Sequence, residues 1–128
     1  MNPDDLLYHK EHTWARISGK RATVGITDYA QESLGEVVYI ELPETGAAVQ
    51  EGDDLGEIES TKATSSIISP VSGRVVEINE ELNDAPEIVN ENPYGSGWIA
   101  VVELDEDADT SALLSAEAYT KFVQEESK

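Results

Sequence analysis

Gly56-Glu-Ile-Glu-Ser-Thr-Lys62-Ala-Thr-Ser-Ser-Ile-Ile-Ser-Pro70 sets one of the chain's five lysines between two strand-like runs. Leu55 to Ser60 reads as a strand, and so does Ser65 to Ile68. The residues between them, Thr61 to Thr64, are too few for a crossover, so the two strands must pair antiparallel through a tight turn. No Asn-Gly or Asp-Gly stands there, and the turn type stays open. A lysine at such an apex points its ammonium into water. Thr61 and Ala63 beside it are small and leave room for a modifying enzyme. On these residues alone Lys62 is either an ordinary turn lysine or a presented handle.

Working outward, further short β-rich runs follow one another: Thr13–Ile17, Ala22–Ile26, Val37–Leu42, Val75–Ile78 and Trp98–Val102. Gly, Pro, Asn and Asp punctuate them. Many short strands with regular turns predict a mostly β sandwich or barrel. Two helices interrupt the pattern. One is expected over Asp28–Leu34, with Thr27 or Asp28 accepting its orphan N–H groups and Gly35 ending it in a left-handed turn. The other is expected over Ala116–Gln124 after Ser115, with Tyr119, Phe122 and Val123 on one apolar stripe that docks on the sheet. Pro43-Glu-Thr-Gly46-Ala-Ala-Val49 also echoes Pro70-Val-Ser-Gly73-Arg-Val-Val76. Proline presets one turn torsion and glycine permits a positive one, so each unit reads as a turn feeding a strand. The echo brackets Lys62 and suits a pseudo-symmetric pair of sheets with a hairpin between its halves.

The 128 residues fit one domain, able to bury roughly two thirds of its unfolded surface without staples. There is no cysteine, so any thiol chemistry has to come from a bound group. The N-terminal residues lack a signal peptide's apolar core, and no apolar run approaches the ~20 residues of a membrane span. A cytoplasmic location is the expectation. The net charge of −19, from 27 acids against 8 bases, repels nucleic acid and anionic membranes. It serves solubility, or suits high salt, where screening relieves self-repulsion.

Other clusters are weaker. His9 and His12 have no identifiable third ligand for a metal. Asp105-Glu-Asp-Ala-Asp109 lacks the glycine and the spaced glutamate of a calcium loop and reads as a solvated linker. No nucleophile–base–orienter set can be assembled, so an enzyme in its own right is not expected.

Several segments together carry a resemblance over nearly the whole chain. They are Tyr8, His12 and Trp14; Val24-Gly-Ile-Thr-Asp-Tyr-Ala-Gln31; Leu34-Gly35; Val38-Tyr-Ile-Glu-Leu-Pro43; Glu59-Ser-Thr-Lys62-Ala63; Ser69-Pro-Val-Ser-Gly73; Val76-Glu-Ile-Asn79; Asn92-Pro-Tyr-Gly95; Gly97-Trp98; and Ala116-Glu-Ala-Tyr119. The chain resembles the H-protein family of the glycine cleavage system, within the lipoyl-domain superfamily. The resemblance implies a barrel-sandwich hybrid of two antiparallel sheets with pseudo-two-fold symmetry. It implies one carrier domain over 1–128, with a core of about 20–103 that includes a short helix near 28–34, and with an N-terminal strand segment and a C-terminal helix near 116–124 packed on it.

The function it implies is carriage rather than catalysis, in glycine catabolism and one-carbon metabolism. Lipoate would be joined to Lys62 by an amide. The arm would take the aminomethyl group from a pyridoxal-phosphate glycine decarboxylase to a folate-dependent aminomethyltransferase, and electrons to dihydrolipoamide dehydrogenase. A lipoate-attaching enzyme would read Glu59, Thr61, Ala63 and Gly73 around the lysine. In relatives the arm folds into a cleft with acids at the places held here by Thr13 and Ser66. Hydroxyls give up the charge-assisted bonds those acids would make, so the resemblance implies a weaker hold on the arm unless Glu11 substitutes. Three other roles compete: a lipoyl relay to other proteins, a biotin carrier, and an unmodified interaction module. The biotin carrier is disfavoured because Lys62 lies between Thr61 and Ala63 rather than between methionines.

Overall fold

The computed structural model describes residues 5–106, 110 and 113–126. In chain order the elements are β1 (Leu7–Tyr8), β2 (Thr13–Ser18), β3 (Arg21–Ile26), α1 (Asp28–Leu34), β4 (Val37–Glu41), β5 (Ala48–Val49), β6 (Asp54–Ser60), β7 (Thr64–Ile68), β8 (Gly73–Ile78), α2 (Glu81–Asp84), α3 (Ile88–Glu91), β9 (Ala100–Leu104) and α4 (Ala116–Glu126). The strands form two antiparallel sheets, a six-stranded one ordered β1-β2-β3-β9-β8-β5 and a three-stranded one ordered β4-β6-β7. Among the described residues they do not close into a barrel.

Alternation explains the layering. In β6, Ile58 and Ser60 are buried while Glu57 and Glu59 are exposed, and Leu55 is turned inward beyond the register shift between Asp54 and Gly56, so one face of the smaller sheet is apolar and the other acidic. The apolar face meets the larger sheet in one core, where Ile40, Ile58 and Ile67 cluster with Val24, Val75 and Val102. A second cluster lies under α4, with Leu6, Tyr8, Trp14 and Tyr119 buried and Phe122 and Val123 packed against it. The expected stripe on α4 is therefore the face that docks. Ser115 caps this helix, its hydroxyl accepting from Ala118 N at 3.2 Å.

The two echoed turns lie against each other. Strand β5 pairs with β8 through Ala48↔Arg74 and Val49↔Gly73, and β6 pairs with β7 through Glu59↔Thr64. Both pairings are centred on Thr61–Lys62, so the chain folds back twice about the same point. Gly46 does adopt the positive torsion expected of it, with φ 94°. Gly73 does not; its requirement is space, because a Cβ there would stand 2.0 Å from the Glu103 carbonyl oxygen.

Other boundaries differ from the sequence reading. β9 begins at Ala100 rather than Trp98, because Trp98 N is spent in a turn, donating to Gly95 O. β5 is the strand that the first echoed turn feeds, whereas the two-residue strand β1 and the single-turn helices α2 and α3 are too short to carry a periodicity. Asp107 to Asp109 of the acidic linker lie outside the described residues.

Few carboxylates find a cation. Among the described residues Arg16 pairs with Asp5, while His9 and His12 meet Glu51 and Glu126 in contacts that are ionic only when the histidine is protonated. The remaining acids repel one another through water, and salt screens that repulsion. The melting temperature should therefore rise from low to molar salt; a flat or falling profile would remove the high-salt reading.

No described helix is long and apolar enough to cross a membrane.

Candidate functional site

The hairpin apex is held by one side chain. Ser60 N donates to Ala63 O at 2.8 Å, closing the turn. The Ser60 hydroxyl accepts from Lys62 N at 3.3 Å and Ala63 N at 3.1 Å, and donates to Ala63 O at 3.1 Å. One donor and two acceptor positions are all a hydroxyl has, so this group is fully used. Thr61 N donates to Glu36 O at 3.1 Å and ties the apex to the segment before β4. The apex backbone is thus fixed while the Lys62 side chain stays exposed. Among the described residues no carboxylate pairs with its ammonium.

Beneath Lys62 lies the C-terminal end of α1. Gly35 caps that helix with φ 81°, and its N–H donates to Gln31 O. A Cβ on Gly35 would meet Lys62 Cε at 3.4 Å and Nζ at 4.0 Å. The glycine therefore ends the helix and gives the lysine stem a bare backbone shelf to lie along. Asn90, on α3, fixes the shelf. Its amide donates to Gly35 O at 2.8 Å and Gln31 Oε1 at 3.0 Å, and its carbonyl accepts from Val37 N at 2.8 Å. Removing three such bonds should cost about 2–3 kcal/mol, read as a lowered denaturant midpoint for Asn90→Ala. A midpoint within error of the parent would mean that the shelf stands without it.

At its other end α1 is tied to the N-terminal segment and α4. Thr27 Oγ1 accepts from Ala30 N at 3.2 Å and shares a 2.7 Å hydrogen bond with the Tyr119 hydroxyl. Tyr119 also meets His12 Nδ1 at 2.7 Å, and His12 Nε2 lies 3.1 Å from Glu126. Burial pushes the Tyr119 phenol well above the usual tyrosine range, so it stays a neutral bridge. His9 instead pairs with Glu51, so the two histidines serve different contacts.

The sequence-expected site residues are dispersed around this framework. Thr61 and Ala63 flank Lys62 at the apex. Glu59 is exposed on β6, opposite Thr64 and beside Tyr39. Gly73 is buried in β8 and pairs with Val49 in the larger sheet. Ser66 is exposed on β7 opposite Glu57, and Glu11 is exposed before β2. Thr13 starts β2, paired with Ile26 just ahead of α1. It is 2 % exposed and its hydroxyl has no hydrogen-bond partner. Among the described residues no hydrogen bond joins Glu11, Thr13 and Ser66. Sequence reasoning passed over Ser60 and Asn90. Ser60 could have been found, since serine hydroxyls favour nearby turn N–H groups. Asn90, far along the chain, gave no local signal.

The profile of the family described as Glycine cleavage H-protein matches residues 6–126. The chain belongs to the glycine cleavage H-protein family. It is 56 % identical over 124 residues to the glycine cleavage system H protein of Rubrobacter xylanophilus, covering 97 % of this chain and 96 % of that one. It is 50 % identical over 124 residues to the H protein of Anaeromyxobacter sp. strain K, covering 97 % of each. It is also similar to the crystal structure of the H protein from Mycobacterium marinum, with a TM-score of 0.85, 35 % identity, and 98 % and 99 % of the two chains covered. As a member of the H-protein family the chain is a lipoyl carrier of the glycine cleavage system. It works with the other components of that system and is not itself a catalyst.

Proposed function

We propose that Lys62 is the residue to which the lipoyl group is joined. The observation that carries this is an exposed lysine with no charge partner among the described residues, on a hairpin apex whose own backbone is pinned by Ser60 and Glu36. A fixed apex delivers the amine to an attaching enzyme at little ordering cost, and leaves the extended side chain free to swing afterwards.

The surroundings suit the group. Gly35 offers a bare backbone against the lysine stem. α1, about 10 Å long, runs from there back towards Ile26, the β3 partner of Thr13, whose buried hydroxyl has no hydrogen-bond partner among the described residues. A buried polar atom without a partner costs free energy that a bound group can relieve. Thr13 would hold the far end of a folded-back arm, with Ser66 and Glu11 as further polar contacts, while Glu59, Thr61 and Ala63 serve recognition by the attaching enzyme and Gly73, buried where β8 meets β9, helps present the lysine through packing. When bound, the group supplies the disulfide that a cysteine-free polypeptide lacks, open to attack by carbon and to later reoxidation. The chain's own work is to present, orient and partly dry that disulfide between visits.

Its partners on this reading are a lipoate-attaching enzyme, a pyridoxal-phosphate glycine decarboxylase, a folate-dependent aminomethyltransferase and a flavin dihydrolipoamide dehydrogenase, in the cytoplasm. Lipoylated chain should act as a saturable substrate for dihydrolipoamide dehydrogenase, followed by NADH consumption. Chain carrying Lys62→Arg through the same lipoylation step should consume none. Equal consumption by both proteins would place the group elsewhere.

A further inference from the structure

The smaller sheet breaks its own alternation beside the lysine. In β4 the pairing with β6 shifts between Val37↔Ser60 and Tyr39↔Glu59, leaving Val38 as an extra residue. Such a bulge re-aims neighbouring side chains. Here Val38 and Tyr39 both face solvent, at 46 % and 54 % exposure. Only one other large apolar side chain among the described residues is exposed, Ile17 on β2. So two of the three stand next to each other, one and two residues in register from the root of the Lys62 hairpin. β4 is also an edge of its sheet.

The rim of this patch is acidic. Glu59 and Glu57 are the β6 partners of Tyr39 and Glu41, so these side chains share the outward face. Glu36, exposed, precedes β4 and holds Thr61. No arginine lies on this face. An apolar spot ringed by carboxylates fits a protein surface with an apolar depression rimmed by lysine and arginine.

Reach decides which protein. An enzyme that acts on the Lys62 amine must bring its own active centre onto the apex, and so must cover residues one strand away. Enzymes that act on the end of a long arm can stand off. We infer that Val38 and Tyr39, with the Glu36, Glu57 and Glu59 rim, form the docking surface for the lipoate-attaching enzyme. This rests on Lys62 being the attachment point. In the step served, neutral Lys62 Nζ attacks the carbonyl carbon of an activated lipoyl donor, an acyl adenylate or thioester. The amide C–N bond forms, the bond to adenylate or thiol breaks, and the amine gives up one proton; no oxidation state changes.

The test uses full-length, unlipoylated chain with a lipoate-attaching enzyme, lipoate and ATP, following the mass gain over time. The double variant Val38→Ser, Tyr39→Ser should raise KM for the chain about tenfold or more while kcat changes little. Ile17→Ser should leave both unchanged. Both variants alter exposed positions and should melt with the parent. Molar salt should raise KM for the parent, since the rim acts through charge. Once lipoylated, the double variant should serve dihydrolipoamide dehydrogenase as well as the parent does. A parental KM for the double variant would overturn the docking surface alone. An equal loss with dihydrolipoamide dehydrogenase would overturn its assignment to the attaching enzyme. Parent chain that gains no mass, or gains it away from Lys62, would remove the attachment reading and this inference with it.

Discussion

Lys62→Arg will reduce glycine-dependent CO2 exchange, in a reconstituted system, to the level measured without any carrier. Arginine keeps the positive charge and the long stem, so it can lie along the Gly35 shelf as lysine does. It cannot be acylated under these conditions, because the guanidinium does not give up its proton. The position is exposed and unpaired by any carboxylate among the described residues, so folding stability should stay within ~0.5 kcal/mol of the parent. Total loss of carriage with unchanged melting separates a chemical role from a structural one. Residual exchange well above background would mean that another residue bears the group, or that carriage does not need it.

The second large effect lies at Gly73 and is opposite in kind. Gly73→Ala places a Cβ 2.0 Å from Glu103 O, 2.8 Å from its carbonyl carbon and 2.9 Å from Val102 Cγ1. Backbone on the paired strand β9 cannot rotate away as a side-chain tip can. The strands must part or the register must slip. Overpacking of this kind costs about 3 kcal/mol, or a melting temperature about 10 °C lower for a domain of this size. The sequence reading gave Gly73 a part in recognition by the attaching enzyme. If that were its only part, Gly73→Ala would melt with the parent and lose only its rate of lipoylation. A large drop in melting temperature, with the folded fraction still modified, would instead assign the glycine to packing between β8 and β9.

The same residue shows where the sequence was readable. The hairpin around Lys62 follows from the short spacing of two β-rich runs, and α1 follows from Thr27 and Gly35, both of which cap as their chemistry requires. The docking stripe of α4 follows from the spacing of Tyr119, Phe122 and Val123. These are local facts, written in adjacent residues. What could not be read is non-local. Gly73 looks like a turn glycine until β9 is laid against it. Asn90 is one polar residue among many until α3 swings it onto Gly35 and Val37. Val38 and Tyr39 look like ordinary strand residues, since a bulge in β4 leaves no mark on the pattern of β4 itself. The cleft residues were named from the resemblance, and their places in β2, β7 and the preceding turn depend on the tertiary fold.

Carriage by this chain requires that the amine of Lys62 bear a lipoyl amide in protein from its own cells. Intact-mass measurement followed by mapping of the peptide containing Lys62 tests this directly. One added lipoyl group, confined to that peptide, is the expected result. A bare Lys62 in every preparation from cells actively degrading glycine, or the group found on Lys10, Lys20, Lys121 or Lys128, would contradict it.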